Sequence, residues 1–189
     1  RLRDAMSKPL TALKTWAESN KLNELGALCA QFAKQSQSGI TRTLAGPTGE
    51  RNSYAILPRE HVLCLAEVEA DLLTQLAAVL AVGGSAVWPE TELSKKLFAR
   101  LPKDIQARIK LVSDWTKDEV VFDAVLHHGH SDQLQAVCQQ VAKRAGAIVG
   151  VQGLSQGETN IALERLVIER ALSVNTAAAG GNASLMTIG

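Results

Sequence analysis

The chain of 189 residues lacks most of the features that announce a function. It has no excess of charge: 20 Lys and Arg stand against 19 Asp and Glu, a formal net charge of +1. That balance supplies no bulk electrostatic drive toward a phosphate backbone or an anionic lipid surface, which removes nucleic acid as a first expectation. Cysteine is scarce. Cys29, Cys64 and Cys138 are odd in number, far apart and each set in an apolar run. This excludes a disulfide framework or a spaced zinc set, and predicts buried thiols in a reducing compartment. Long hydrophobic runs are missing too: the longest, Leu76 to Val82, falls far short of the roughly 20 residues that a membrane-spanning helix needs. The first residues read as the middle of a charged helix, not as a signal or transit peptide, so the chain is expected to be cut from a longer polypeptide.

What is present is periodicity. Leu2, Met6, Leu10, Leu13 and Trp16, then Leu22, Leu25, Leu28, Cys29 and Phe32, recur at three- and four-residue intervals and predict two amphipathic helices over residues 1–39. Residues 40–60, with Gly46-Pro47-Thr48-Gly49 at their centre, suit a hairpin or loop. From His61 a rhythm of strands and helices sets in: strands at Val62–Ala66, Ser85–Trp88, Ile109–Val112, Asp123–His127 and Ala147–Val151, with helices at Glu69–Val82, Glu90–Leu101 and Ser131–Arg144. Such alternation predicts an α/β domain over 61–170, Rossmann-like and doubly wound, with a mostly parallel sheet covered on both faces. A last helix is expected at Asn160–Glu169. Residues 171–189 contain no charged residue and read as a tail or flap that packs against something.

Candidate chemistry belongs in the loops after the strands. After the first strand come Glu67-Val68-Glu69, with no Gly-x-Gly-x-x-Gly turn, and two carboxylates there would repel a pyrophosphate. Gly83-Gly84 precedes a strand and reads as a helix terminator. His127-His128-Gly129-His130 is the densest cluster of functional atoms. Imidazoles suit zinc, but no cysteine or carboxylate at ligand spacing accompanies them, and a capped turn into a helix at Ser131 accounts for the composition. Cys138, in the run Leu134, Val137, Cys138, Val141, reads as a buried core thiol. There is neither a Gly-x-Ser-x-Gly elbow nor a Gly-x-x-x-x-Gly-Lys loop. Glu90 with Glu92, and Asp118 with Glu119, read as solvated helix faces. The residues themselves thus nominate no catalytic, cofactor-binding or metal site.

Some words in the sequence are familiar. The run from Leu73 to Glu90, the turn His128-Gly129-His130-Ser131 and the strand Ile148-Val149-Gly150-Val151 resemble a stretch of the aldehyde dehydrogenase superfamily, over about Val62 to Gly153. Val174 to Gly189, together with Gly46 to Asn52, is similar to the extreme C-terminus of the proline utilization A family, a likeness that spans essentially the whole chain. It implies a long cytoplasmic polypeptide, peripheral at the inner membrane in some settings, that oxidises proline with FAD and then oxidises glutamate semialdehyde with NAD. Some members also bind DNA through an N-terminal domain. The resemblance implies no cofactor in this segment, and none of those active regions lies within it.

Departures from the dehydrogenase pattern carry the expected role. The superfamily's lysine before proline, which contacts the cofactor's adenosine part, is Trp88; its Thr-Gly-Ser turn has become histidine-rich; no Glu-x-Gly-Gly motif follows Val151; and no cysteine follows Cys138. Without an activated thiolate the covalent step of aldehyde oxidation has no nucleophile. The segment is therefore expected to be a non-catalytic domain that covers the catalytic dehydrogenase domain of the same polypeptide, in a parent expected to be a homo-oligomer. Asn175, Thr176, Gly180, Gly181, Asn182, Leu185, Met186 and Ile188 are the expected contact residues of the tail. The alternatives are a residual NAD-binding module and an oligomerisation domain.

Overall fold

Ser7 opens the first helix: its hydroxyl oxygen accepts from the Leu10 N–H at 3.3 Å, and Pro9 sits in the first turn, where no intrahelical donor is needed. The structure, a computed structural model, describes residues 6–36, 38–44 and 50–175. Helices α1 (Lys8–Ser19) and α2 (Asn23–Gln35) bury the stripe Leu10, Leu13, Ala17, Leu25, Leu28, Cys29 and Phe32. Strands β1 (Thr41–Leu44) and β2 (Glu50–Pro58) form the antiparallel hairpin. The remainder runs β3 (His61–Leu65), α3 (Glu69–Val82), β4 (Ser85–Pro89), α4 (Glu92–Arg100), α5 (Lys103–Gln106), β5 (Ile109–Val112), β6 (Ala124–His128), α6 (Ser131–Ala142), β7 (Gly150–Leu154), a 3-10 turn (Leu163–Leu166) and β8 (Val167–Asn175).

Five of these strands build one all-parallel sheet in the order β5-β4-β3-β6-β7. The chain lays β3 in the centre, winds outward through β4 to β5, then returns to place β6 on the other side of β3. This is the α/β, doubly wound arrangement read from the sequence, and it puts the topological switch point between β3 and β6. The pleat sorts the side chains. Val62, Cys64, Ala86, Trp88, Ala124 and Leu126 join the core under α1–α5, while Leu63, Val87, Val112 and Val125 join a smaller core with Val141 of α6.

Helix α3 lies against the sheet with α1 and α2 packed over it. Leu72, Leu73, Leu76, Ala77, Ala78, Val79, Leu80 and Val82 are all buried, as a helix enclosed by protein requires. It stops at Gly83, whose φ of 90° is left-handed, and the Gly84 N–H donates to the Val79 carbonyl at 3.0 Å. The Gly83-Gly84 pair is thus the terminator that the sequence suggested. On the solvent side Arg100 joins three helices: it pairs with Glu69 at 2.6 Å, its carbonyl accepts from the Trp16 indole N–H at 3.0 Å, and its guanidinium lies 5.7 Å from the Trp16 ring.

Three expectations need correction. The helix expected at Asn160–Glu169 is a 3-10 turn followed by β8, which pairs antiparallel with β2 from Pro58↔Val167 to Glu50↔Asn175 and makes a separate sheet β1-β2-β8. Ile161, Leu163 and Leu166 are all buried against the main core. The strand expected at Ala147–Val151 begins three residues later, since Gly146 at φ 103° closes a turn and Ile148 is fully exposed before β7 enters the sheet. Cys138 is exposed, because α6 turns only Leu134, Val137 and Val141 inward. Of the expected tail contacts, Asn175 ends β8, while Thr176, Gly180, Gly181, Asn182, Leu185, Met186 and Ile188 lie outside the described residues.

The Gly84 position offers a sharp stability test. A Cβ there would stand 2.6 Å from the backbone carbonyl oxygen of Arg59, an atom that cannot swing aside. Gly84→Ala is expected to destabilise the chain by about 1–3 kcal/mol in chemical denaturation, as overpacking against backbone does.

Candidate functional site: the cleft at the switch point

At the carboxyl ends of β3, β4 and β6 the strands diverge and leave a cleft of about 310 Å3, at the small end of ligand-sized pockets. Cys64, Leu65, Ala66 and Glu67 line it from β3 and the following turn, Leu72 from α3, Trp88, Pro89, Thr91 and Ser94 from β4 and the start of α4, His127 and His128 from β6, and Gln133 and Val137 from α6. Trp115 closes it from the loop between β5 and β6. Arg144 holds that loop: its guanidinium donates to the carbonyls of Trp115, Lys117 and Val120 and stacks 4.2 Å from the Phe122 ring. Phe122 in turn meets Trp115 edge to face.

The adjacent histidines of β6 face opposite sides of the sheet and do different things. His128 is buried on the α3 side. Its Nε2 lies 2.8 Å from the Glu158 carbonyl, which can only accept, so Nε2 carries the proton and Nδ1 accepts from the Gln75 amide at 2.9 Å. Gln75 also donates to the Leu65 carbonyl, and the Asp71 carboxylate, 3.9 Å from His128, accepts from the Gly157 N–H at 2.9 Å. His128 thus bridges α3, β6 and the loop after β7. His127 points to the other side, 6% exposed, with Nδ1 lacking any partner. Burial, and then its neighbour His128, push its imidazole below the ordinary value, against a weaker pull from Glu67. His130 is exposed and stands at the N-terminus of α6, where its backbone N–H donates to the Gln133 side chain. Among the described residues no three His, Cys, Asp or Glu converge on a metal position.

No side chain in the cleft is poised as a nucleophile. Cys64 sits beneath Trp88, and burial pushes its thiol far up; the Trp88 indole N–H tempers that rise without making a hydrogen bond of normal geometry. Cys29 lies between α2 and the core, its thiol pushed up to about 12, chiefly by burial. Cys138 is on the surface of α6, outside the cleft. The turn from β3 to α3 is also unsuited to a pyrophosphate. Val68 caps α3 with no side-chain bond, Glu67, Glu69 and Asp71 surround the first turn, and no lysine or arginine is among the described residues lining the cleft.

Solved structures share this architecture. A Bradyrhizobium japonicum proline utilization A (PutA) variant superposes with a TM-score of 0.57 at 21% identity, over 71% of this chain and 16% of that one. An NADP-dependent glyceraldehyde-3-phosphate dehydrogenase from Bacillus halodurans, complexed with NADP, gives 0.57 at 12% identity, over 78% and 40%. The fold is therefore the Rossmann-like fold of the aldehyde dehydrogenases. No family model matches the chain. In sequence it is 56% identical over 188 residues to the bifunctional protein PutA of Escherichia coli K12, and 37% identical over 159 residues to that of Rhizobium meliloti. The chain belongs to the PutA family, as a segment that spans 14% of the length of the Escherichia coli relative.

The histidines yield three expectations. The unfolded chain binds a proton at His127 at a higher pH than the folded one does. Its contribution to stability is therefore fully present above about pH 6.5 and is lost as pH falls through the folded value. His127→Gln should flatten the fall in melting temperature below about pH 6.5. His128→Ala strands the Gln75 amide and the Glu158 carbonyl and should cost about 1–3 kcal/mol. Added zinc should leave the melting temperature unchanged in the parent chain and in the His128→Ala, His130→Ala double variant.

Proposed function

We propose that this chain is a non-catalytic domain of a bifunctional enzyme that oxidises proline to glutamate, with FAD-linked proline dehydrogenation and NAD-linked glutamate-semialdehyde dehydrogenation carried out elsewhere in the parent polypeptide. One observation carries the reading: an aldehyde dehydrogenase scaffold whose switch-point cleft holds no accessible thiol and turns carboxylates toward the place of a dinucleotide's phosphates. The 56% identity to the bifunctional PutA protein of Escherichia coli supports the choice of parent.

In this reading the domain supports and covers the catalytic dehydrogenase domain of the same polypeptide and helps close the path of the semialdehyde between the two active sites. The β1-β2-β8 sheet is the element suited to that task. It is a long antiparallel ribbon set apart from the parallel sheet, and β8 leads directly into the uncharged residues 176–189. Free strand edges pair readily with another strand. The domain binds no cofactor of its own, and the parent works in the cytoplasm.

Removing residues 177–189 from the full-length enzyme should impair the semialdehyde oxidation and the coupled proline-to-glutamate reaction while leaving FAD-linked proline oxidation near normal. A truncated enzyme with an undiminished coupled rate would discard the covering role. The isolated chain should show no dissociation constant for NAD tighter than ~1 mM by calorimetry.

A further inference from the structure

The switch-point cleft is closed to phosphate but not to every ligand. Its lining contains two of the three tryptophans of the chain, Trp88 and Trp115, with Leu65, Leu72 and Val137 completing an apolar enclosure. Its charge is of one sign. Glu67 is the only ionised side chain among the described lining residues, and Glu69 and Asp71 lie one turn behind it on α3. The enclosure is also rigidly made. Arg144 fixes the loop bearing Trp115 through three carbonyls, and the Gln133 amide, itself engaged by the His130 N–H, holds the Glu67 carboxylate at 3.2 Å.

We propose that this cleft binds a small aromatic ammonium compound, its ring packed against Trp115, Leu65 and Val137 over the buried Trp88 and its cationic nitrogen at the Glu67 carboxylate. Aromatic faces beside a carboxylate attract organic cations, and do so more strongly when partly withdrawn from water. The cavity of about 310 Å3 accommodates a single substituted ring and leaves no space for a dinucleotide. An anionic ring compound would meet Glu67 with no compensating cation. This site is independent of the supporting role proposed above, since it faces the chain's own cleft and not the strand ribbon.

The test uses the full-length enzyme and phenethylamine as the probe, with phenylacetate as its charge-inverted counterpart, followed by calorimetry. Phenethylamine should bind saturably with a dissociation constant below ~1 mM. Glu67→Gln should weaken it at least about tenfold and should not weaken any phenylacetate binding. Filling the cleft by Ala66→Phe or, from the α6 side, by Val137→Trp should abolish it, with near-ultraviolet circular dichroism confirming that each variant is folded. The proposal is overturned if phenethylamine does not saturate by ~10 mM. It is equally overturned if a folded cleft-filling variant binds as the parent does, or if Glu67→Gln stays within about twofold of the parent.

Discussion

The enclosure of α3 is the constraint on which the rest of the architecture depends. A helix buried on the sheet side alone needs one apolar stripe; α3 is apolar nearly all round, so α1 and α2 must cover its outer face. That demand explains why the helical preface packs as part of the same core as the parallel sheet. It also explains the buried polar residues. Asp71, Thr74 and Gln75 have no water to turn to, and each finds a partner inside: the Gly157 N–H, the Ala70 carbonyl, and the Leu65 carbonyl with His128. These bonds tie α3 to β6 and to the loop after β7. The helix that organises the core thereby also sets the position of the switch point.

At that point the fold and the chemistry part company. A doubly wound sheet offers a crevice at the carboxyl ends of its central strands whatever the side chains are. Here the crevice is walled by indoles, bordered by carboxylates and free of accessible thiols. A scaffold shared with the aldehyde dehydrogenases thus carries a site whose electrostatics oppose phosphate, and the function has to be argued from those side chains rather than from the fold. The separate β1-β2-β8 ribbon adds a second, antiparallel sheet to a domain whose main sheet is occupied with its own helices.

Local pattern made much of this legible. The 3.6-residue recurrence of leucines outlined α1 and α2, and the largely apolar run between Glu69 and the Gly83-Gly84 pair located both ends of α3. Compact apolar stretches bounded by Gly, Pro and Asp marked β3, β4, β5 and β6. The lack of a glycine-rich phosphate turn was also visible in the residues themselves, since that chemistry is local: it needs particular amino acids in one short loop. The acidic character of the β3 to α3 turn could be read for the same reason.

What depends on partners distant in sequence could not be read. Residues 167–175 form a strand only because β2, more than a hundred residues earlier, offers its edge, and nothing in their own spacing says so. Cys138 shares the spacing of a core position, yet lies exposed because α6 covers the sheet with a narrow stripe. The histidine run announced a cluster, and the pleat dispersed it, sending His128 to a buried bridge and His127 to the cleft wall. Trp115 and Arg144 gave no sign of belonging together until the fold brought the loop before β6 against the end of α6. The sequence by itself determined most of the elements, their order and the lack of a glycine-rich phosphate turn, because those follow from local pattern and composition. Only the tertiary structure decided which surfaces are covered and which side chains meet, because burial and pairing are set by contacts between segments far apart in the chain.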